Sequence, residues 1–132
     1  MAIPDMYTIQ DRFSIDGGDE IEYTIPWAGT WKLVSGTVTP YTTLAAHASN
    51  TQTITVYKGA AGTALGFMTS DSDDTTYGAA YTKGTTRSFV FTESGKNMEI
   101  TGQTGCVEVA VTEGGTCAAV DCSIALCFER VR

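Results

Sequence analysis

The sequence predicts an all-β domain, an antiparallel β-sandwich of jelly-roll type preceded by an extended N-terminal arm. Three observations carry that expectation. Side-chain character alternates with a period of two along most of the chain, threonine and glycine are abundant, and two segments are too long to be hairpin turns. Alternation places one face of each strand in a core and the other in solvent. Threonine suits a pleated surface and glycine suits tight turns. Long connections are what a chain needs to pass from one sheet to another.

The alternating segments follow in order. Ile21, Tyr23 and Ile25 alternate with Glu20, Glu22 and Thr24; Trp31 and Leu33 flank Lys32; Ile54 and Val56 alternate with Thr53, Thr55 and Tyr57. Phe89 and Phe91, then Met98 and Ile100, continue the pattern. Val107, Val109 and Val111 precede a last set, Ile124, Leu126 and Phe128. Punctuation falls between them at Ala28-Gly29, Gly59 to Gly62, Asp71 to Asp74, Gly84, Gly102 to Gly105 and Glu113 to Gly115. The long connections are residues 39–51 and 70–85, and a short helix within 42–49 is one reading of the first. Residues 1–18 alternate weakly and end in the turn signal Asp16-Gly17-Gly18, so they are expected to form an arm. Residues 19–132 are then the sandwich.

Composition narrows the function. The net charge is −7, and the 8 lysines and arginines are scattered. A nucleic-acid surface needs clustered positive charge to displace counterions, so nucleic acid is not an expected partner, nor is an anionic membrane. No apolar run reaches the roughly 20 residues of a membrane span. Met1-Ala2-Ile3-Pro4-Asp5 has neither the basic nor the apolar region of a signal peptide, so synthesis in a cytosol is expected.

Chemistry-bearing residues are few. Cys106, Cys117, Cys122 and Cys127 have the spacing C-x10-C-x4-C-x4-C, which lacks the paired knuckles of a zinc site. If the last two strands form a hairpin, the outward-facing Cys106 and Cys127 can lie opposite each other, and a cross-strand disulfide or a close pair of thiols follows. Cys117 and Cys122 would then flank its tip and could close the loop. Four reduced cysteines are the competing reading. Asp71, Asp73 and Asp74 could hold a cation but lack the frame of an EF-hand, and a solvated turn is favoured. His47 is the single histidine, and no nucleophile elbow, P-loop or dinucleotide fingerprint accompanies it. Glu20, Glu22, Glu93, Glu99, Glu108 and Glu129 are read as outward, solubilising charges. No enzyme, cofactor or metal is therefore expected. Trp27, Tyr41, Tyr57, Tyr77 and Tyr81 fall at turns or on outward faces, where aromatics commonly serve interfaces or sugar platforms; that Trp27 and Tyr81 close the ends of the sandwich is the competing reading.

Residues 29–130 resemble the small jelly-roll decoration, or cement, proteins of tailed bacteriophage heads. The resemblance rests on Gly29-Thr30-Trp31-Lys32-Leu33, the polar stretch Ala45 to Thr51, and the cadence Thr53-Ile54-Thr55-Val56-Tyr57-Lys58-Gly59. It extends through Gly62 to Met68 and Gly105-Cys106-Val107-Glu108-Val109. It implies a homotrimer on the outer surface of a virion, bound across neighbouring major capsid protein subunits and made in the host cytoplasm. The arm, with Tyr7 and Ile9, would then add a strand to a neighbour. The four cysteines depart from that pattern. A carbohydrate- or receptor-binding sandwich of a phage fibre or adhesin, using Trp27 and the tyrosines, is the alternative.

Overall fold

In a computed structural model of the 132-residue chain, residues 2–59, 62–92, 95 and 97–132 are described. Ten strands run in order: β1 (Met6–Ile15), β2 (Glu20–Thr24), β3 (Thr30–Pro40), β4 (Thr51–Lys58), β5 (Thr63–Thr69), β6 (Arg87–Ser88), β7 (Val90–Phe91), β8 (Ile100–Thr101), β9 (Cys106–Gly114) and β10 (Val120–Arg130).

They form two antiparallel sheets. The first has the order β1-β10-β3-β6, with β8 also on β3; the second has the order β2-β9-β4-β5-β7. The pairing is nested: the first strand pairs with the last and β2 with β9, while β3 and β4 join their other sides. A hairpin folded across itself in this way is the jelly roll. The architecture expected from the alternation is therefore present.

The inward positions make one core. Trp31, Leu33, Ile54, Val56, Val107, Val109, Ile124, Leu126 and Phe128 are all buried. Each such side chain contributes about 1.5–3 kcal/mol by leaving water. Val34 is an extra residue in β3, opposite the Cys127/Phe128 step of β10. This bulge explains why the inward set Trp31, Leu33 resumes at Gly36 and Val38. Gly36 is required there by packing, since a Cβ would lie 2.7 Å from the Phe89 ring and 3.0 Å from Leu126.

Four expectations are corrected. Residues 6–15 are not a free arm: β1 pairs with β10 over ten residues and forms an edge of the first sheet. Ile9, Phe13 and Ile15 are buried, and that burial is what recruits the segment. Residues 42–49 are not helical; Leu44 bridges to Tyr81 and His47 to Asp71 instead. Phe89 and Phe91 do not share one strand. β6 belongs to the first sheet and β7 to the second, and Phe89, at the crossing between them, is buried. Finally, β9 and β10 are not a hairpin, because each pairs within a different sheet.

Candidate functional site

The outer face of the first sheet carries an aligned set of polar side chains. Register aligns Gln10 with Ala125 and Thr37, and Arg12 with Ser123 and Thr39, so small side chains on the central strand β10 lie between longer ones. Strands are about 4.8 Å apart, so β1 and β3 are separated by roughly 10 Å. Tyr41 continues the ladder one step past β3, its N–H donating to Asp121 O at 2.8 Å. From there its ring meets the Arg12 guanidinium, 5.5 Å from the ring centroid. Arg12 and Tyr41 thus reach toward each other from either side of β10, which small Ser123 permits. Arg12 also lies 3.6 Å from the Asp121 carboxylate. Beneath this arch is a cavity of about 380 Å³, with Gln10, Arg12, Tyr41, Ser123 and Ala125 in its wall.

The other end of the same face carries exposed apolar side chains among charged ones, with Glu129 and Lys32 in register beside Met6. Met6, Val34 and Val131 are 49%, 41% and 40% exposed. Met6 aligns with Glu129, Val34 bulges beside Cys127 and Phe128, and Val131 N–H donates to Thr30 O at 2.7 Å. All three therefore lie around the last turn of side chains on β10.

At the loop end of the sandwich, Arg87 ties down the 70–86 connection. Its guanidinium donates to the carbonyls of Thr69 (2.7 Å), Tyr77 (2.7 Å) and Ala79 (2.9 Å), and stacks 5.0 Å from the Tyr81 ring centroid. Burial lowers its pKa. Tyr81 is fully buried, and its hydroxyl lies 2.9 Å from Gln52 O and 3.2 Å from Met68 O. Desolvation raises the Tyr81 pKa well above that of a free phenol, against the opposing charge of Arg87. Tyr77 packs edge-on against Phe67, with centroids 5.4 Å apart.

The candidate interface residues therefore divide. Tyr41 and Tyr77 are exposed, as expected. Tyr81 and Ile9 are corrected to core residues; Tyr81 turns inward because the cross-connection needs a buried anchor, and Ile9 because β1 joins the sheet. Tyr7 and Trp27 are half-buried against that core, and Trp27 O accepts a hydrogen bond from Trp31 Nε1 at 3.2 Å. Tyr57 is half-buried opposite Glu108.

All four cysteines are free thiols. Cys106 and Cys127 face outward from opposite sheets, so the proposed cross-strand pair does not form. Cys122 is buried, its thiol donating to Phe13 O at 3.3 Å, and burial pushes its pKa up to about 12. Cys117 lies 3.4 Å from Thr51 O and 3.6 Å from Glu113 Oε1, with its pKa raised first by burial and then by Glu113. Their sequence spacing holds no trace of this separation, which depends on the sheet to which each strand belongs.

The remaining polar candidates serve the backbone. Asp71 Oδ1 accepts from Asp73 N–H at 2.9 Å, and Asp74 Oδ1 accepts from Tyr77 N–H at 2.8 Å, both side chains capping turns. His47 Nδ1 accepts from the N–H groups of Ser49 and Asn50, each at 2.9 Å. Among the described residues no three His, Cys, Asp or Glu side chains are grouped to hold a metal. Glu108 is buried rather than solvated, because Glu22 on β2 and Tyr57 on β4 flank it on a central strand. Glu20, Glu22 and Glu129 are exposed, Glu99 binds Arg132 through both carboxylate oxygens, and Glu93 lies outside the described residues.

Gln10, Arg12, Ser123 and Ala125 did not stand out in the sequence. Ser123, Ala125 and Cys127 do show as a run of small outward residues on one strand. What the sequence could not show is that β1 and β3 flank that strand.

No family model matches the chain, and no curated protein matches it. One similar solved chain comes from the structure of infectious bursal disease virus, Gx strain. The likeness has 20% sequence identity and a TM-score of 0.35, covering 93% of this chain and 31% of that one. This chain thus spans under a third of the length of the chain it is similar to.

Proposed function

We propose that this protein is a viral structural protein that decorates a bacteriophage capsid, seated as a homotrimer across major capsid protein subunits. The observation that supports this reading is the set of exposed apolar side chains at one end of the first sheet. Met6 on β1 and Val34 on β3 flank the end of β10 there, with Val131 just beyond it, and all three are exposed. Scattered exposed apolar residues are ordinary, but a patch presented by paired strands suits a large protein partner. Burying such surface yields about 25 cal/mol per Å² before association costs, so each contact is modest. Threefold repetition lets modest contacts act together.

Sedimentation equilibrium tests the assembly directly. A trimer that dissociates on Val34→Asp supports the reading, and a monomer at every concentration contradicts it. Electron microscopy of a particle containing the chain tests the location: density on the outer capsid surface is expected, and density at a fibre tip would contradict it.

A further inference from the structure

The opposite end of the same face has different chemistry. The wall of its cavity carries the Tyr41 ring, the Gln10 amide, the Ser123 hydroxyl and the Arg12 guanidinium over an Ala125 floor. It is an open depression of about 380 Å³ rather than an enclosed pocket, so it offers contact to one side of a ligand. Neither the Gln10 amide nor the Ser123 hydroxyl makes a hydrogen bond to another described residue. Arg12, by contrast, is already engaged, stacked on Tyr41 and facing the Asp121 carboxylate. An anionic ligand would have to displace Asp121 or accept its repulsion, because carboxylates cannot share one guanidinium without cost.

We propose that this cavity binds a neutral sugar residue of a glycan chain, with Tyr41 as its platform. Hydroxyl groups both donate and accept, and the wall offers both: donors from Gln10 and Arg12, an acceptor from Gln10, either from Ser123. The apolar C–H face of a pyranose matches the face of the Tyr41 ring that the Arg12 guanidinium does not cover. Small side chains on β10 leave the floor open, so the ring can lie flat over the strand. The site stands apart from the end that carries Met6, Val34 and Val131, so it does not rest on the capsid reading. Tyr41 takes the part that Trp27 was expected to play, since Trp27 is half-buried against the core.

Isothermal titration and saturation-transfer NMR against cellotetraose, maltotetraose, a mannose tetramer and N-acetylglucosamine oligomers test the proposal, with sialyllactose as the charged comparison. Saturable binding of at least one neutral oligomer is expected. Tyr41→Ala should weaken it about tenfold and Gln10→Ala several-fold, while Ser123→Tyr, which fills the floor, should abolish it. Thermal melts of each variant establish that the fold persists. The proposal is overturned by the absence of saturable binding across the neutral panel, by preference for sialyllactose, or by binding that Tyr41→Ala and Ser123→Tyr leave intact.

Discussion

Replacing Arg87 with alanine should loosen the long connection between β5 and β6 and lower global stability. The side chain gives three short hydrogen bonds to main-chain carbonyls and stacks on Tyr81. Hydrogen bonds to a charged group are worth about 1.5–3 kcal/mol each when buried. Arg87 is only half-buried, and water replaces part of what is lost. Charge-assisted and stacking contributions together then come to roughly 2–3 kcal/mol. For a domain of this size that lowers Tm by about 10 °C. Differential scanning calorimetry reads the loss, and hydrogen exchange locates it, with faster exchange expected in residues 70–86. Arg87→Lys should recover less than half, because an ammonium cannot span three carbonyls with a planar fork. A Tm drop under about 2 °C, unchanged exchange in that segment, or full rescue by lysine would refute the reasoning.

Other outcomes follow from single contacts. Tyr81→Phe should cost about 1–2 kcal/mol in urea denaturation, since it strips a donor from two buried carbonyls. Gln52→Met should change stability by less than about 1 kcal/mol, because losing the Nε2–H bond to Glu113 Oε1 at 3.1 Å is offset by removing the buried Oε1, which has no partner among the described residues; a larger loss would contradict this. Native alkylation followed by mass spectrometry should label Cys106 and Cys127 readily and Cys122 only on unfolding, with no Cys106–Cys127 disulfide under oxidation. Stability should fall with rising alkaline pH, from about 9, where a cysteine of ordinary pKa ionises, toward the raised Cys122 value of about 12. In that window the unfolded chain has released a proton that the folded chain retains, so proton loss favours unfolding. Cys122→Ala should flatten the fall in a pH series of denaturation midpoints.

The alternation, together with the two long connections and the abundance of threonine and glycine, was sufficient for the architecture. Ile124, Leu126 and Phe128 could be placed inward from sequence because a strand's side chains switch faces at every residue, whatever its neighbours. Burial of Val107, Val109 and Val111 follows from the same rule. Strand partners do not, because pairing depends on contacts between residues far apart in the chain. Cys106 and Cys127 are both outward as expected, yet they face away from opposite sheets, since β9 and β10 join different ones. The weak alternation of residues 6–15 concealed an edge strand whose apolar side chains are buried only once β10 lies beside it. Tyr81 and Arg87 acquired their roles from a crossing that no local period announces. The cavity under Tyr41 likewise exists because three strands distant in sequence lie side by side. Local geometry fixes which way a side chain points; only the assembled sheets decide what it meets.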